Sequence, residues 1–375
     1  MSPLTTAPPT IASVDLSALT SNLRQARRLL SPGCDILAVV KADAYGHGSV
    51  AVTEALAREG VTRFAVATIQ EGAQLRDAGI QAQILVMGAL PPAQLADLLG
   101  YDLTPVIYEP TIAVALAARL GAGSNPYPVH LKVDTGMGRL GLPPDQVLPL
   151  LQSPAFQSSL RLEGLMTHLA DADNADPAYT KIQIERFQAV LAGLHKAGLS
   201  VPLIHAANSA AMLGHPAAHF NLVRPGIMLY GYSTALQRGP AATLKPVLSL
   251  RSQVAQVRNL EKGDSASYNR SFIARRSTKI AVLPIGYADG YSRALSNRGY
   301  VLVQGQRCPV VGRVCMDMTL LDVTDLPVVR PGDEAVLIGR QGTDAILASD
   351  VAAWSGTIPY EVLCGIGPRV PRVYS

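Results

Sequence analysis

The sequence predicts an α/β fold: an N-terminal (β/α)8 TIM-type barrel followed by a mainly-β C-terminal domain. Three observations predict it. Eight strand-like apolar runs recur between residues 36 and 229, each followed by a helical or short helical segment, the pattern of repeated βα units around a parallel sheet. After about residue 240 short β-rich runs and turn residues replace the helices. The chain has 375 residues, enough for two domains. The expected division is 11–240 for the barrel and 241–375 for the β-domain, with an open doubly wound sheet as the alternative to a closed barrel.

The elements follow in order. Apolar residues at Leu16, Leu19, Leu23, Ala26 and Leu30 have helical spacing, and Asp15 precedes them as an N-cap. Ile36–Val40 is an unbroken apolar run, as expected of a strand buried on both faces. Further runs lie at 63–67, 84–87, 103–107, 128–133, 162–168, 202–206 and 221–229. Gly60, Gly79 and Gly198 close the helices before them. In the second half Leu248–Val257 alternates, Ile280–Pro284 and Val301–Val303 are short strands, and Val310–Val323 is a long β-rich run. One clear helix remains there, around Ile346–Trp354.

Composition excludes several classes. Hydrophobic residues make up 48% and charged residues 16%, a globular balance. The first ten residues lack the basic start and apolar centre of a secretory signal, and no stretch has the roughly 18 apolar residues that span a bilayer. Net charge is +4, but the basic residues are scattered, so neither nucleic acid nor a membrane is an expected partner. Cys34, Cys308, Cys315 and Cys364 have neither metal-ligand nor disulfide-framework spacing; reduced thiols, no metal and a cytoplasmic location are expected.

In such a barrel the chemistry sits at the C-terminal ends of the strands. Lys41 follows the first run, Arg139 lies in the loop after the fifth, and His168 ends the sixth. Asn208-Ser209 follow the seventh, and Arg224-Pro225-Gly226 interrupts the eighth. Singly these are core or ion-pair residues. Together they make a pocket suited to phosphate or carboxylate. A lysine beside it suggests a Schiff base, either with pyridoxal phosphate or with a sugar phosphate as in barrel aldolases, and composition does not separate the two. The stretch GMGRLG (136–141) matches G-x-G-x-x-G, with Glu163 a little over twenty residues on. A dinucleotide fingerprint would open its βαβ unit and place the acid at the next strand's end, whereas Glu163 falls early in its strand.

The motifs VVKADAYGHG, LKVDTGMGRLG, HAANSAA, RPGIMLYG, SYNRSF, PIGYADG, VGRVCMDM and IPYEVLC together resemble the alanine racemase family, in the family's order and from Ile11 to the C-terminus. The resemblance implies pyridoxal 5′-phosphate as cofactor, interconversion of L- and D-alanine, and a supply of D-alanine for peptidoglycan. It implies Lys41 as the imine-forming lysine and base on one face of the substrate, and Tyr268 as the base on the other. It places that tyrosine in the partner subunit's active site, and so a homodimer with shared sites. Arg224 resembles the residue on the pyridine nitrogen, with His168 beside it. Tyr45, Ser209, Gly226, Ile227 and Tyr360 resemble phosphate contacts. Arg139 resembles the contact to the cofactor's phenolic oxygen, near the substrate carboxylate, which Met316 would meet through its backbone N–H. Lys132 matches a lysine that is carbamylated in many members. Tyr287, Arg293, Arg313 and Ile358 match the substrate corridor.

One departure is that many members have glycine after the tyrosine, where this chain has Asn269-Arg270. That keeps a broad-specificity amino-acid racemase as the enzyme alternative. A non-catalytic pyridoxal-phosphate carrier is the alternative from another class, and it would lack the β-domain.

Overall fold

The computed structural model describes residues 8–121, 125–233 and 243–375. They form two compact units. One comprises the chain up to Ala18, Tyr45–Gly48 and Pro246–Ser375; the other comprises Leu19–Ala44 and Ser49–Lys245. The expected boundary at 240/241 lies outside the described residues.

The first strand, β1 (Ile11–Val14), joins the sheet of the C-terminal part. The second unit is the barrel. Its strands are β2 (Asp35–Val39), β3 (Arg63–Val66), β4 (Gln83–Val86), β5 (Thr104–Ile107), β6 (Tyr127–Lys132), β7 (Leu160–Met166), β8 (Leu203–His205) and β9 (Leu222–Val223). They pair in parallel in the order β8-β7-β6-β5-β4-β3-β2-β9. The runs read from sequence are all present. The eighth shrinks to two residues because Pro225 has no N–H for a ladder. Between β8 and β9 no ladder forms. A single parallel bridge, Asn208 to Arg224, closes the circle, with Arg224 N–H donating to Ala207 O at 2.9 Å.

The barrel core follows from the runs: Leu37, Ala38, Phe64, Ala65, Ile84, Leu85, Val106, Ile107, Leu131 and Leu165 have no exposure. Helices cover it outside. Ile69–Asp77 starts at a capping box, in which Thr68 accepts from Glu71 N–H and Glu71 accepts from Thr68 N–H. The longest helix, Ala178–Lys196, turns Ile184, Phe187 and Leu194 inward.

The other unit is mainly β. One sheet runs β16-β15-β18-β10-β1-β20, with β10 (Leu248–Gln253), β15 (Tyr300–Val303), β16 (Gln306–Pro309), β18 (Glu334–Gln341) and β20 (Arg372–Tyr374); β19 (Asp344–Ile346) pairs with β18. A second sheet joins β11 (Gln256–Leu260), β14 (Thr278–Leu283) and β17 (Thr319–Asp322), and a small pair joins β12 (Ser265–Ala266) to β13 (Phe272–Ile273). Pairings are antiparallel except β1 with β20. The expected run at 310–323 is strand only over Thr319–Asp322; residues 311–318 fold back as a loop, with Val311 N–H on Leu320 O and Cys315 N–H on Met318 O. The helix expected at 346–354 spans Ala348–Ser355, and a short second one, Pro359–Cys364, follows it.

Candidate active site

Lys41 opens a helical turn, Lys41–Gly46, immediately after β2. This turn is left-handed: Ala42, Asp43, Ala44 and Tyr45 have φ of 52, 50, 53 and 55°. For non-glycine residues that conformation costs about 1–2 kcal/mol each, so contacts must impose it. Asp43 Oδ1 accepts from Ser49 N–H at 2.7 Å, and Glu71 Oε1 accepts from Ala42 N–H at 2.7 Å. Glu71 thus serves both its helix cap and the loop that carries Lys41.

Around it the barrel gathers charge of one sign. Lys132, at the end of β6, is 4% exposed. Burial, then Arg139, Arg224 and Lys41, pull its ammonium down to about 8, while Asp134 opposes them. His168 is held well below its usual value by burial first and then by Arg224, Lys132, Arg139 and Lys41, so it is a neutral imidazole at physiological pH. Arg139 itself is exposed in its loop.

Arg224 is buried, and its guanidinium is clamped by carbonyls. NH1 donates to His205 O at 2.8 Å; NH2 donates to Thr167 O at 2.7 Å and Ala206 O at 2.9 Å. His168 Nδ1 lies 3.4 Å from NH2. Burial pulls Arg224 down to about 9, and the three acceptors favour its charged form, so it remains a cation at neutral pH. Gln183, buried on the long helix, ties two site loops together. Its Nε2 donates to His168 O at 3.2 Å and Thr135 Oγ1 at 3.3 Å, and its Oε1 accepts from Ala170 N–H at 2.8 Å.

Ser209 begins a short helix capped by Asn208, and its Oγ accepts from the N–H of Gly226 at 2.9 Å and of Met228 at 3.4 Å. Gly226 N–H, expected to face a phosphate, is therefore already engaged; a phosphate there would share or replace the Ser209 hydroxyl. Ile227 is buried beside it.

The glycine loop at 136–141 has a different job from the one its pattern suggests. Asp134 Oδ1 accepts from Gly136, Met137 and Gly138 N–H at 2.9, 2.8 and 3.2 Å. The amides that a pyrophosphate would need are taken by a carboxylate, which they and Lys132 hold below its usual range against the opposing effect of burial. The first three amides of the loop are therefore not open to a dinucleotide.

In the other unit, Tyr45 and Tyr360 meet with ring centroids 5.9 Å apart. Burial, then Tyr360 and Cys364, push the Tyr45 phenol above its usual range, so it stays protonated and can donate. Tyr268 is 69% exposed. With Ser267, Cys315, Met316, Asp317 and Met318 it lines a cavity of about 390 Å³. Asn269 and Arg270 after it adopt φ of 57 and 52°. That explains the departure from glycine at 269, since asparagine is among the L residues that best tolerate the left-handed region. Arg313 reaches this group through its backbone, its carbonyl accepting from Ser267 Oγ at 2.8 Å. Tyr287 N–H donates to Cys315 O at 3.0 Å. Arg293 and Ile358 stand exposed, Ile358 directly before the helix that carries Tyr360.

A pyridoxal phosphate suits these residues by their chemistry: the barrel offers clustered cations with little opposing charge, and a hydroxyl already joined to two backbone amides. The sequence reading had not singled out Glu71, Asp134, Gln183 or His205. Glu71 and Gln183 lie outside the quoted motifs and act through contacts distant in sequence. Asp134 and His205 lie inside LKVDTGMGRLG and HAANSAA, but the motifs do not state which backbone groups they meet.

Comparison with known proteins agrees. The family profiles described as alanine racemase N-terminal domain and alanine racemase C-terminal domain match residues 14–234 and 247–374. The alanine racemase of Halothermothrix orenii is 45% identical over 367 residues, covering 98% of this chain and 97% of that protein. The Bacillus anthracis alanine racemase solved with bound L-Ala-P superposes with a TM-score of 0.91 at 37% identity, over 99% of this chain and 96% of its own. The Bartonella henselae alanine racemase, solved with covalently bound pyridoxal phosphate, gives 0.89 at 31% identity, over 98% of this chain and 100% of its own. A strand-end lysine, a buried arginine beside a neutral histidine and a β-domain tyrosine thus occur in a sequence related along nearly its whole length, and the chain belongs to the alanine racemase family.

Proposed function

We propose that the protein is a pyridoxal-phosphate-dependent alanine racemase that interconverts L- and D-alanine and supplies the D-isomer for peptidoglycan. The observation that carries this reading is the cation cluster of Lys41, Lys132, Arg139 and Arg224 at the barrel's strand ends, in a chain with both family domains. Bound pyridoxal phosphate supplies electron withdrawal that acidifies the amino acid's α-proton.

The chain's own residues do the rest. Lys41 Nζ holds or returns the proton on one face of the α-carbon and Tyr268 Oη on the other, so removal by one and delivery by the other inverts the centre. Arg224 has only donors to offer, so it meets an unprotonated ring nitrogen and restrains electron withdrawal, which disfavours transamination. Neutral His168 adds no further charge beside it. Arg139 and the Met316 N–H orient the substrate carboxylate. Tyr45, Ser209, Ile227 and Tyr360 hold the phosphate, with Gly226 joining through the Ser209 hydroxyl. Tyr287, Arg293, Arg313 and Ile358 shape the entry.

The exposure of Tyr268 supports its delivery to a second copy, giving a homodimer with shared sites. Among the described residues no helix is long and apolar enough to cross a membrane, and all four cysteines are thiols outside any disulfide, which suits a reducing cytoplasm.

The test follows α-proton exchange and loss of optical rotation with L-alanine, L-serine and L-lysine. Tyr268→Phe should cut turnover of L-alanine by about 10²–10⁴-fold while the bound cofactor's visible band remains. Comparable wild-type rates on serine or lysine would move the assignment to a broad racemase. An intact band with no racemisation would make the protein a cofactor carrier.

A further inference from the structure

The pairing of β6 with β7 slips at one point. Val129 faces Leu162 but His130 faces Gly164, which makes Glu163 an extra residue, a bulge, on β7. Bulges re-aim side chains. The Glu163 carboxylate accepts from Gln83 Nε2 and lies 3.7 Å from Arg161 and 3.4 Å from His130 Nε2. That last contact is electrostatic, since His130 Nε2 is not aligned for a hydrogen bond. Gly164 is needed beside it, because a Cβ there would collide with the His130 ring.

The contacts continue inward. His130 Nδ1 is 2.8 Å from His205 Nε2, and His205 Nδ1 is 3.1 Å from Arg224 NH1. Neither ring has any exposure. The proton positions follow by elimination. Arg224 can only donate, so His205 Nδ1 accepts and its proton sits on Nε2. His130 Nδ1 must then accept, which leaves its own proton on Nε2, toward Glu163. An imidazolium at either ring would set its Nδ1–H against one neighbouring donor, Arg224 NH1 at His205 or His205 Nε2–H at His130. Burial and Arg224 both disfavour it; Arg63 adds to this at His130, while Glu163 opposes it.

We propose that His205, His130 and Glu163 are positioning residues, a one-way chain of contacts that holds the Arg224 guanidinium in place for the cofactor ring, with Glu163 fixing the chain's direction at its far end. The proposal rests on the assignment of Arg224 to that ring. Without the carboxylate, His130 gains the option of carrying its proton on Nδ1. His205 would then present Nδ1–H to Arg224, donor against donor, and NH1 would be displaced.

The test uses holoenzyme labelled with ¹⁵N at histidine, whose imidazole correlations identify the protonated nitrogen. Wild type should show neutral Nε2–H forms at His130 and His205, unchanged through neutral and mildly alkaline pH. Glu163→Gln, and independently Gly164→Ala, should mix the His130 tautomers, shift the cofactor's visible band and lower kcat about tenfold with little change in KM. Glu163→Asp should recover part of the loss. An Nδ1–H form at either ring in wild type would overturn the chain, as would two folded variants with unaltered band and kcat. The two lesions are chemically unrelated, so a folding failure in one leaves the other to decide. Wild type that racemises nothing while showing the expected tautomers would sink the proposed function and leave the chain's direction standing.

Discussion

Lys132 is poised for chemistry of its own. With its ammonium pulled down to about 8, a sizeable neutral fraction exists near neutrality. The neutral nitrogen can attack CO2, forming a C–N bond and releasing one proton to leave a carbamate anion. That anion would face Arg139 and relieve the surplus positive charge. Native mass spectrometry in bicarbonate should show one added CO2, growing as pH rises through 8, lost on acidification and absent in Lys132→Ala. An unmodified but fully active protein would rule the carbamate out. For the unmodified lysine the sign is fixed as well. Its folded value lies below the ordinary 10.5, so folding disfavours the charged form. The resulting cost is fully present below about pH 8 and fades as pH rises toward 10.5, so the bare protein gains stability across that window.

At the scale of elements, two left-handed segments carry the two candidate bases or their neighbours. Asn269, at φ 57°, should accept glycine with little change, whereas Asn269→Val should lower stability by about 1 kcal/mol, measurable as a drop in melting temperature. Equal melting of the Val and Gly variants would show that this backbone is not strained. The Lys41–Gly46 turn was not legible in the sequence. Glycine appears only at its end, and its handedness comes from Glu71 and Asp43 holding backbone amides. The barrel strands were legible because a buried parallel strand is a solid apolar run; Lys41 and His168 were singled out by where such runs stop, and Arg224 by where the eighth is interrupted. β1 was missed because its partners are Leu248–Arg251 and Arg372–Tyr374, at the other end of the chain. Glu163 was noticed for its spacing from a glycine loop. Its contacts instead depend on a bulge, a register feature that no local pattern records.

At the scale of the molecule, each candidate base belongs to a different compact unit, Lys41 to the barrel and Tyr268 to the β-unit. If the tyrosine is lent to a second copy, two inactive variants should repair each other. Mixed and reassociated Lys41→Ala and Tyr268→Phe chains would form half hybrid dimers, each with one intact site of two, giving about a quarter of wild-type activity. No recovery would place both bases in one chain.

The seam between β8 and β9 has a further consequence. A cylinder whose last two strands share one backbone bridge and side-chain bonds in place of a ladder yields there first. Arg224 makes that bridge and also reaches His205 O and Ala206 O, with Ser209 and Gly226 just beyond it. Backbone amides of β8 and β9 should therefore exchange with solvent sooner than those of β3 to β6. A phosphate held at Ser209 and Gly226 would act as a rivet, slowing exchange across the seam, so the molecule the barrel holds would reinforce its mechanical closure.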